Sequence, residues 1–275
     1  MPVIAIADAE DPRIAAYRAI RERDLTGREG RFMAEGEVVL RVLAGQARFA
    51  IDSVLLAENR LAPLGDLLAK LPSDVPVFTA AQSVMNAIAG FAVHRGVMAI
   101  GRKPAPQALD GFLDRLPERA LVVAAIGIAN HDNIGGIFRN AAAFGADAVL
   151  LDATSCDPLY RKAIRVSVGA ALLVPFHRGA CADALLPALA ARGFALAALS
   201  PSGREDLATY RPGARTAMIL GAEGPGLPEA ILAAAETLRI PMAGGFDSLN
   251  VATASGIALH HLSHGRVDAK AGRGQ

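Results

Sequence analysis

The sequence predicts an α/β chain of two domains. Short apolar segments of strand length alternate with segments of helical period, and the alternation is strongest in the second half. Between the halves, the charged and proline-containing stretch Arg102-Lys103-Pro104-Ala105-Pro106 breaks the pattern. A length of 275 residues exceeds what one average domain needs, and 52% hydrophobic residues suffice for a sizeable core. Trp is absent and aromatics make up 5%, so that core is built from small aliphatic side chains.

The elements follow in order. Residues 3–7 read as a short strand. Residues 11–24 read as a helix, with Asp11 as its cap and Pro12 at its first position. Phe32-Met33-Ala34-Glu35-Gly36 opens a second helix over 35–43, with Val38, Val39, Val42 and Leu43 on one face. Strands are expected at 51–57, 75–78 and 97–100, with a helix at 61–71 ending at Pro72. In the second half Leu121–Ile128 is an apolar run suited to a strand buried on both faces. Further strands are expected at 148–151, 172–176, 195–199, 217–220 and 238–240. Helices fall at 134–144, 158–166, 182–192, 228–235 and 250–263. This order predicts a parallel, doubly wound sheet. The domains are placed at 1–103 and 119–268, joined by a linker at 104–118 and followed by a tail at 269–275.

A net charge of +1 gives no global basic signal, so a nucleic-acid partner has to be held by local patches. Arg13, Arg18, Arg21, Arg23, Arg28 and Arg31 form one such patch, diluted by Glu22, Asp24 and Glu29; a solvated amphipathic helix explains it equally well. Cys156 and Cys181 are the only cysteines and have neither zinc-site nor disulfide-framework spacing. The acidic N-terminus lacks a signal-peptide pattern, and no apolar run approaches the roughly 20 residues of a membrane span. A cytoplasmic protein is expected.

Three segments of the second half exceed generic punctuation. The first is Asn133-Ile134-Gly135-Gly136-Ile137-Phe138-Arg139, where Asn133 can cap a helix whose first turn holds two glycines. The second is Gly221-Ala222-Glu223-Gly224-Pro225-Gly226, a glycine turn after a buried strand with a single carboxylate. It is neither a Walker motif nor GxGxxG. The third runs from Ile240-Pro241-Met242-Ala243-Gly244-Gly245 to Ser248-Leu249-Asn250-Val251, a strand end, a glycine loop and a polar helix start.

In this order the three resemble the motifs of the SpoU/TrmH-type family of the SPOUT class, over roughly residues 120–265. Tyr160–Gly169 looks like the segment between the first and second motifs. The N-terminal half resembles the family's substrate domain, a small α/β fold like an RNA-binding ribosomal protein. The resemblance implies a deep trefoil knot, otherwise essentially absent from proteins, and a homodimer through the C-terminal domain. It implies S-adenosyl-L-methionine as cofactor and transfer of its methyl group to a ribose 2′-hydroxyl of tRNA or rRNA. By motif position, Arg139, Asn133, Glu223, Ser248 and Asn250 are the implied catalytic group. Leu199, Ser200, Gly221, Ala222, Gly224, Ile240, Met242, Leu249 and Asn250 are the implied cofactor contacts. For RNA, Arg139, Arg161, Lys162, Arg165, Arg28 and Arg31 are the candidates; Arg161, Lys162 and Arg165 roughly share one helix face, as a solvated face also would. Ala222 stands where many relatives carry Asn.

No metal is expected, because His94, His131, His177, His260, His261 and His264 form no fixed ligand set. Ser155, Ser200 and Ser202 lack a nucleophile elbow. A nucleotide-dependent oxidoreductase requires GxGxxG after the first strand, which is missing. A non-catalytic RNA- and cofactor-binding protein of the same fold is the alternative; it predicts loss of Arg139, Glu223 or Asn250, and all three are present.

Overall fold

The computed structural model describes residues 2–18, 22–27, 29–89, 96–244 and 247–264. In chain order the strands are β1 (Val3–Ile6), β2 (Arg31–Glu35), β3 (Ala50–Ala57), β4 (Val77–Ala80), β5 (Val97–Arg102), β6 (Ala120–Ala125), β7 (Ala148–Asp152), β8 (Phe176–Ala180), β9 (Ala195–Leu199), β10 (Glu205–Asp206), β11 (Arg215–Leu220) and β12 (Glu236–Arg239). The helices are α1 (Glu22–Gly27), α2 (Glu37–Ala44), α3 (Gly65–Leu68), α4 (Gln82–Ala89), α5 (Leu109–Leu113), α6 (His131–Ala143), α7 (Arg161–Val166), α8 (Ala170–Leu173), α9 (Ala182–Ala190), α10 (Glu229–Ala234) and α11 (Val251–Leu262). Two compact units result: Met1–Ala105 with Leu159–Leu173, and Pro106–Pro158 with Val174–Gln275.

The first unit holds a five-stranded sheet in the order β1-β4-β3-β5-β2. Strands β1, β4 and β3 are parallel, while β5 runs antiparallel to β3 and to β2. Gly101 of β5 lies opposite Phe32 of β2, where a Cβ would stand 2.3 Å from the Phe32 ring; a strand glycine thus admits a fully buried aromatic. Helix α7 lies against β2 and buries Ala163 and Ile164, leaving Lys162 and Arg165 exposed.

The second unit is a seven-stranded, wholly parallel sheet in the order β10-β12-β9-β11-β6-β7-β8. Every residue of β6 and β7 is buried, as expected of strands covered on both faces. Burial of a Val, Leu or Ile side chain is worth about 1.5–3 kcal/mol, so these strands anchor the unit. From β6 the chain winds outward to β8, then crosses to β9 and inserts β11 beside β6. Strand order reverses there, and ligands of open parallel sheets bind outside the carboxyl ends at such a point. Among the described residues no helix is long and apolar enough to cross a membrane.

Several sequence expectations change. The stretch at 32–35 belongs to strand β2 and is followed by Gly36 at φ 94°, a conformation only glycine adopts readily; α2 starts after it. The expected strand at 172–176 is instead the end of α8, and the strand is β8, shifted past Pro175. The expected helix at 11–24 divides into a 3-10 turn at Pro12–Tyr17, capped by Asp11, and α1. Helix α4 and the two-residue strand β10 were not expected. Helix α5 lies within the stretch read as a linker.

Candidate active site

The carboxyl ends of β9, β11 and β12 open onto a cavity of about 460 Å³. Its walls come from three loops. Leu199 and Ser200 close β9, with Pro201 beyond them; Gly221, Ala222, Glu223, Gly224 and Gly226 form the turn after β11; and Ile240, Met242, Ser248, Leu249 and Asn250 belong to the loop between β12 and α11. Leu220, Leu238, Val251 and Ala254 complete the lining; these and Pro201 were not among the expected contacts, although Val251 falls within the third motif and Leu220 and Leu238 could have been found as strand ends. Glu223 is the only charged side chain on the wall among the described residues. Gly245 and Phe246 of the third motif lie outside the described residues.

Two glycines are required by close approach. A Cβ on Gly221 would stand 2.5 Å from the carbonyl carbon of Gly226, so the turn can close only on glycine. A Cβ on Gly203 would stand 2.4 Å from the carbonyl carbon of Leu238, so the loop after β9 lies directly on the β12 backbone. Ser200 N–H donates to Leu238 O, and Arg239 Nη1 to Gly203 O.

Asn250 joins the three motifs. Its Oδ1 accepts from Ala252 N–H at 3.0 Å and Thr253 N–H at 3.2 Å, capping α11. Those backbone donors fix which end of the amide is oxygen. The Nδ2 group then donates to Asn133 Oδ1 and to Glu223 Oε1, both at 2.8 Å. All four conventional hydrogen-bonding positions of one amide are used.

Asn133 itself does not cap α6. Asn130 does, accepting from Asp132 N–H, so α6 begins a turn earlier than the sequence suggests and Asn133 lies inside it. At 4% exposure its side chain is turned toward Asn250. Helices α6 and α11 touch closely: a Cβ on Gly136 would stand 2.6 Å from Ala252 Cβ, and Asn140 Nδ2 donates to Ala252 O and Ser255 Oγ.

Arg139 is exposed on α6 and does not line the cavity; no hydrogen bond or ion pair ties it down among the described residues. Arg161, Lys162, Arg165 and Arg31 all belong to the first unit. Arg31 pairs with Asp52 and Glu29, and Arg161 stands 3.9 Å from Glu35. Arg28 lies outside the described residues. Among the described residues no group of three or more His, Cys, Asp or Glu could hold a metal ion.

Comparison with known proteins gives consistent matches. The model of the SpoU rRNA Methylase family matches residues 120–260. A Mycobacterium tuberculosis relative named as an uncharacterized tRNA/rRNA methyltransferase is 39% identical, over 94% of both chains. A 23S rRNA (guanosine-2′-O-)-methyltransferase of Photobacterium profundum is 30% identical over 81% of this chain and 95% of its own. Among solved structures, an AdoMet-bound rRNA methyltransferase from Sinorhizobium meliloti superposes with a TM-score of 0.81 at 25% identity, over 94% of this chain and 97% of that one.

Proposed function

The chain belongs to the SpoU rRNA methylase family, and from that premise we propose that it is an S-adenosylmethionine-dependent methyltransferase acting on a ribose 2′-hydroxyl of tRNA or rRNA. The observation that carries the reading is Asn250, which binds Asn133 and Glu223 together at the wall of the cavity.

The cavity fits the cofactor. Apolar side chains at Leu199, Leu220, Leu238, Ile240 and Leu249 suit an adenine ring, and exposed backbone in the glycine turn suits its polar edge. The wall has one carboxylate and no Lys, Arg or His among the described residues, which welcomes a cation and disfavours a pyrophosphate. When bound, the cofactor supplies a methyl group on a positively charged sulfonium, an electrophile that needs alignment more than activation.

The remaining roles belong to the chain. Glu223, the titratable group on the wall, takes the proton of the attacking ribose hydroxyl, and Asn250 holds that carboxylate in place through Oε1. Arg139 serves as the cation for the RNA phosphate and the developing oxyanion. Ser248 lies on the same wall as a further polar contact. The homodimer belongs to the same proposal. Arg139 of α6 and Thr253 and Ile257 of α11 are exposed, and a second copy covering these helices would give the apolar Ile257 a partner. The trefoil knot belongs to the same proposal and rests on the family match over residues 120–260. Residues 1–103 serve as the RNA-binding domain, with the Lys162 and Arg165 face of α7 adding phosphate contacts.

Calorimetric titration tests the cofactor assignment. S-adenosylmethionine and S-adenosylhomocysteine bind wild type, and Gly221→Val binds neither. Binding that survives Gly221→Val would place the cofactor elsewhere.

A further inference from the structure

We infer that Asp152, at the carboxyl end of β7, is a positioning residue for methyl transfer, acting through the turn between β6 and α6; this rests on the function proposed above. Asp152 is 5% exposed and takes no part in the cavity wall. Its Oδ1 accepts from Gly127 N–H at 3.0 Å, from Ser155 N–H at 2.9 Å and from Ser155 Oγ at 2.6 Å. Its Oδ2 accepts from the Thr154 hydroxyl. The fully buried Ser155 passes the constraint on, because its Oγ accepts from Ile128 N–H at 3.0 Å, while Cys156 N–H donates to Ile128 O.

The turn so held leads into the site on two sides. Ile128 is two residues from the Asn130 cap of α6, and therefore close upstream of Asn133. Gly127, at φ 70°, comes so near Ala222 that a Cβ would stand 3.4 Å from the Ala222 Cβ, next to Glu223. A shift of this turn displaces Asn133 and reaches the wall only at Ala222 and Glu223, while the apolar lining at Leu199, Leu220 and Leu238 keeps its own supports in β9, β11 and β12. Three of the four donors converge on one oxygen. The role is therefore one of shape, and a neutral amide oxygen at that point can also accept them.

Two variants separate shape from charge. Asp152→Asn keeps Oδ1 and loses the charge; the Thr154 hydroxyl can turn to accept from the new amide. Asp152→Glu keeps the charge and moves the oxygens by a methylene. Measured with labelled S-adenosylmethionine and total RNA, kcat of Asp152→Asn stays within about threefold of wild type. That of Asp152→Glu falls about 10²-fold, the scale of loss a misplacement near 1 Å produces. Calorimetric affinity for S-adenosylmethionine stays close to wild type in both. Asp152→Asn as inactive as Asp152→Glu, or Asp152→Glu as active as wild type, overturns the inference. So does an Asp152→Glu variant that fails to fold or loses cofactor affinity in step with kcat, since Asp152 would then only maintain the fold. A wild type that binds S-adenosylmethionine but labels no RNA would instead refute the proposed function.

Discussion

At the scale of single residues, one amide and one arginine dominate. Asn250→Ala removes a helix cap and two donors together. Loss of the cap alone costs about 1 kcal/mol, and Glu223 and Asn133 lose their shared partner. The expected outcome is a lower denaturation midpoint with methyl transfer lost. Asn250→Asp can keep the cap but is expected to lose activity as well, because it sets a second carboxylate against Glu223. Arg139→Ala is expected to abolish transfer while leaving calorimetric cofactor binding intact, since Arg139 is absent from the cavity wall. Asp152 adds a pH dependence. Burial pushes its carboxyl up, but hydrogen bonds from Ser155, Thr154 and Gly127 outweigh this and hold it below its ordinary value. Its stabilisation is therefore present above the unfolded value near 3.9 and is lost as pH falls through the folded value. In urea titrations, Asp152→Asn should be less stable than wild type at pH 7, and the gap should narrow below about pH 4. The motifs were legible as sequence, but the Asn250 bridge was not. Its partners lie 117 and 27 residues away, and only the fold brings them together. Asp152 carried no motif at all.

At the scale of elements, close approach decides. Gly136→Ala puts a methyl group 2.6 Å from Ala252 Cβ, so α11 must move off α6. A destabilisation of about 1–3 kcal/mol is expected by thermal or urea unfolding, as for other overpacked contacts. Val168 points the other way. It is the only non-glycine residue with positive φ among the described residues, at 53°, and it is β-branched and exposed. Asn tolerates that conformation, so Val168→Asn should stabilise the protein by roughly 0.5–1 kcal/mol. The strand β9 at 195–199 was readable to the residue, because five apolar positions lie between a glycine-bounded helix end and a Ser-Pro-Ser turn. Strand β2 was not readable, because Phe-Met-Ala-Glu suits a helix locally and only pairing with β5 around Gly101 makes it a strand. The start of α6 was misplaced because Asn130 and Asn133 are both good caps, and Asn133 is recruited by Asn250 instead.

At the scale of the whole molecule, the division into units does not follow the chain. Residues 159–173 group with 1–105, and their α7 covers β2. A fragment of residues 1–105 should therefore unfold at lower urea concentration than the first unit does within the full chain, having lost the helix that buries Ala163 and Ile164. An equal midpoint would show that α7 adds nothing to that unit. The parallel sheet of the second half was legible from its apolar runs, and the cavity at its carboxyl edge follows from the strand order. The proposed chemistry is tested most directly by incubating the protein with S-adenosylmethionine labelled in the methyl group and total RNA, then hydrolysing the RNA with alkali. A ribose 2′-O-methyl group blocks cleavage at its own phosphodiester. The label should therefore appear in alkali-resistant dinucleotides, and should vanish with Arg139→Ala and Asn250→Ala. Label recovered in methylated bases of single nucleotides, or label in dinucleotides that persists in both variants, would contradict it.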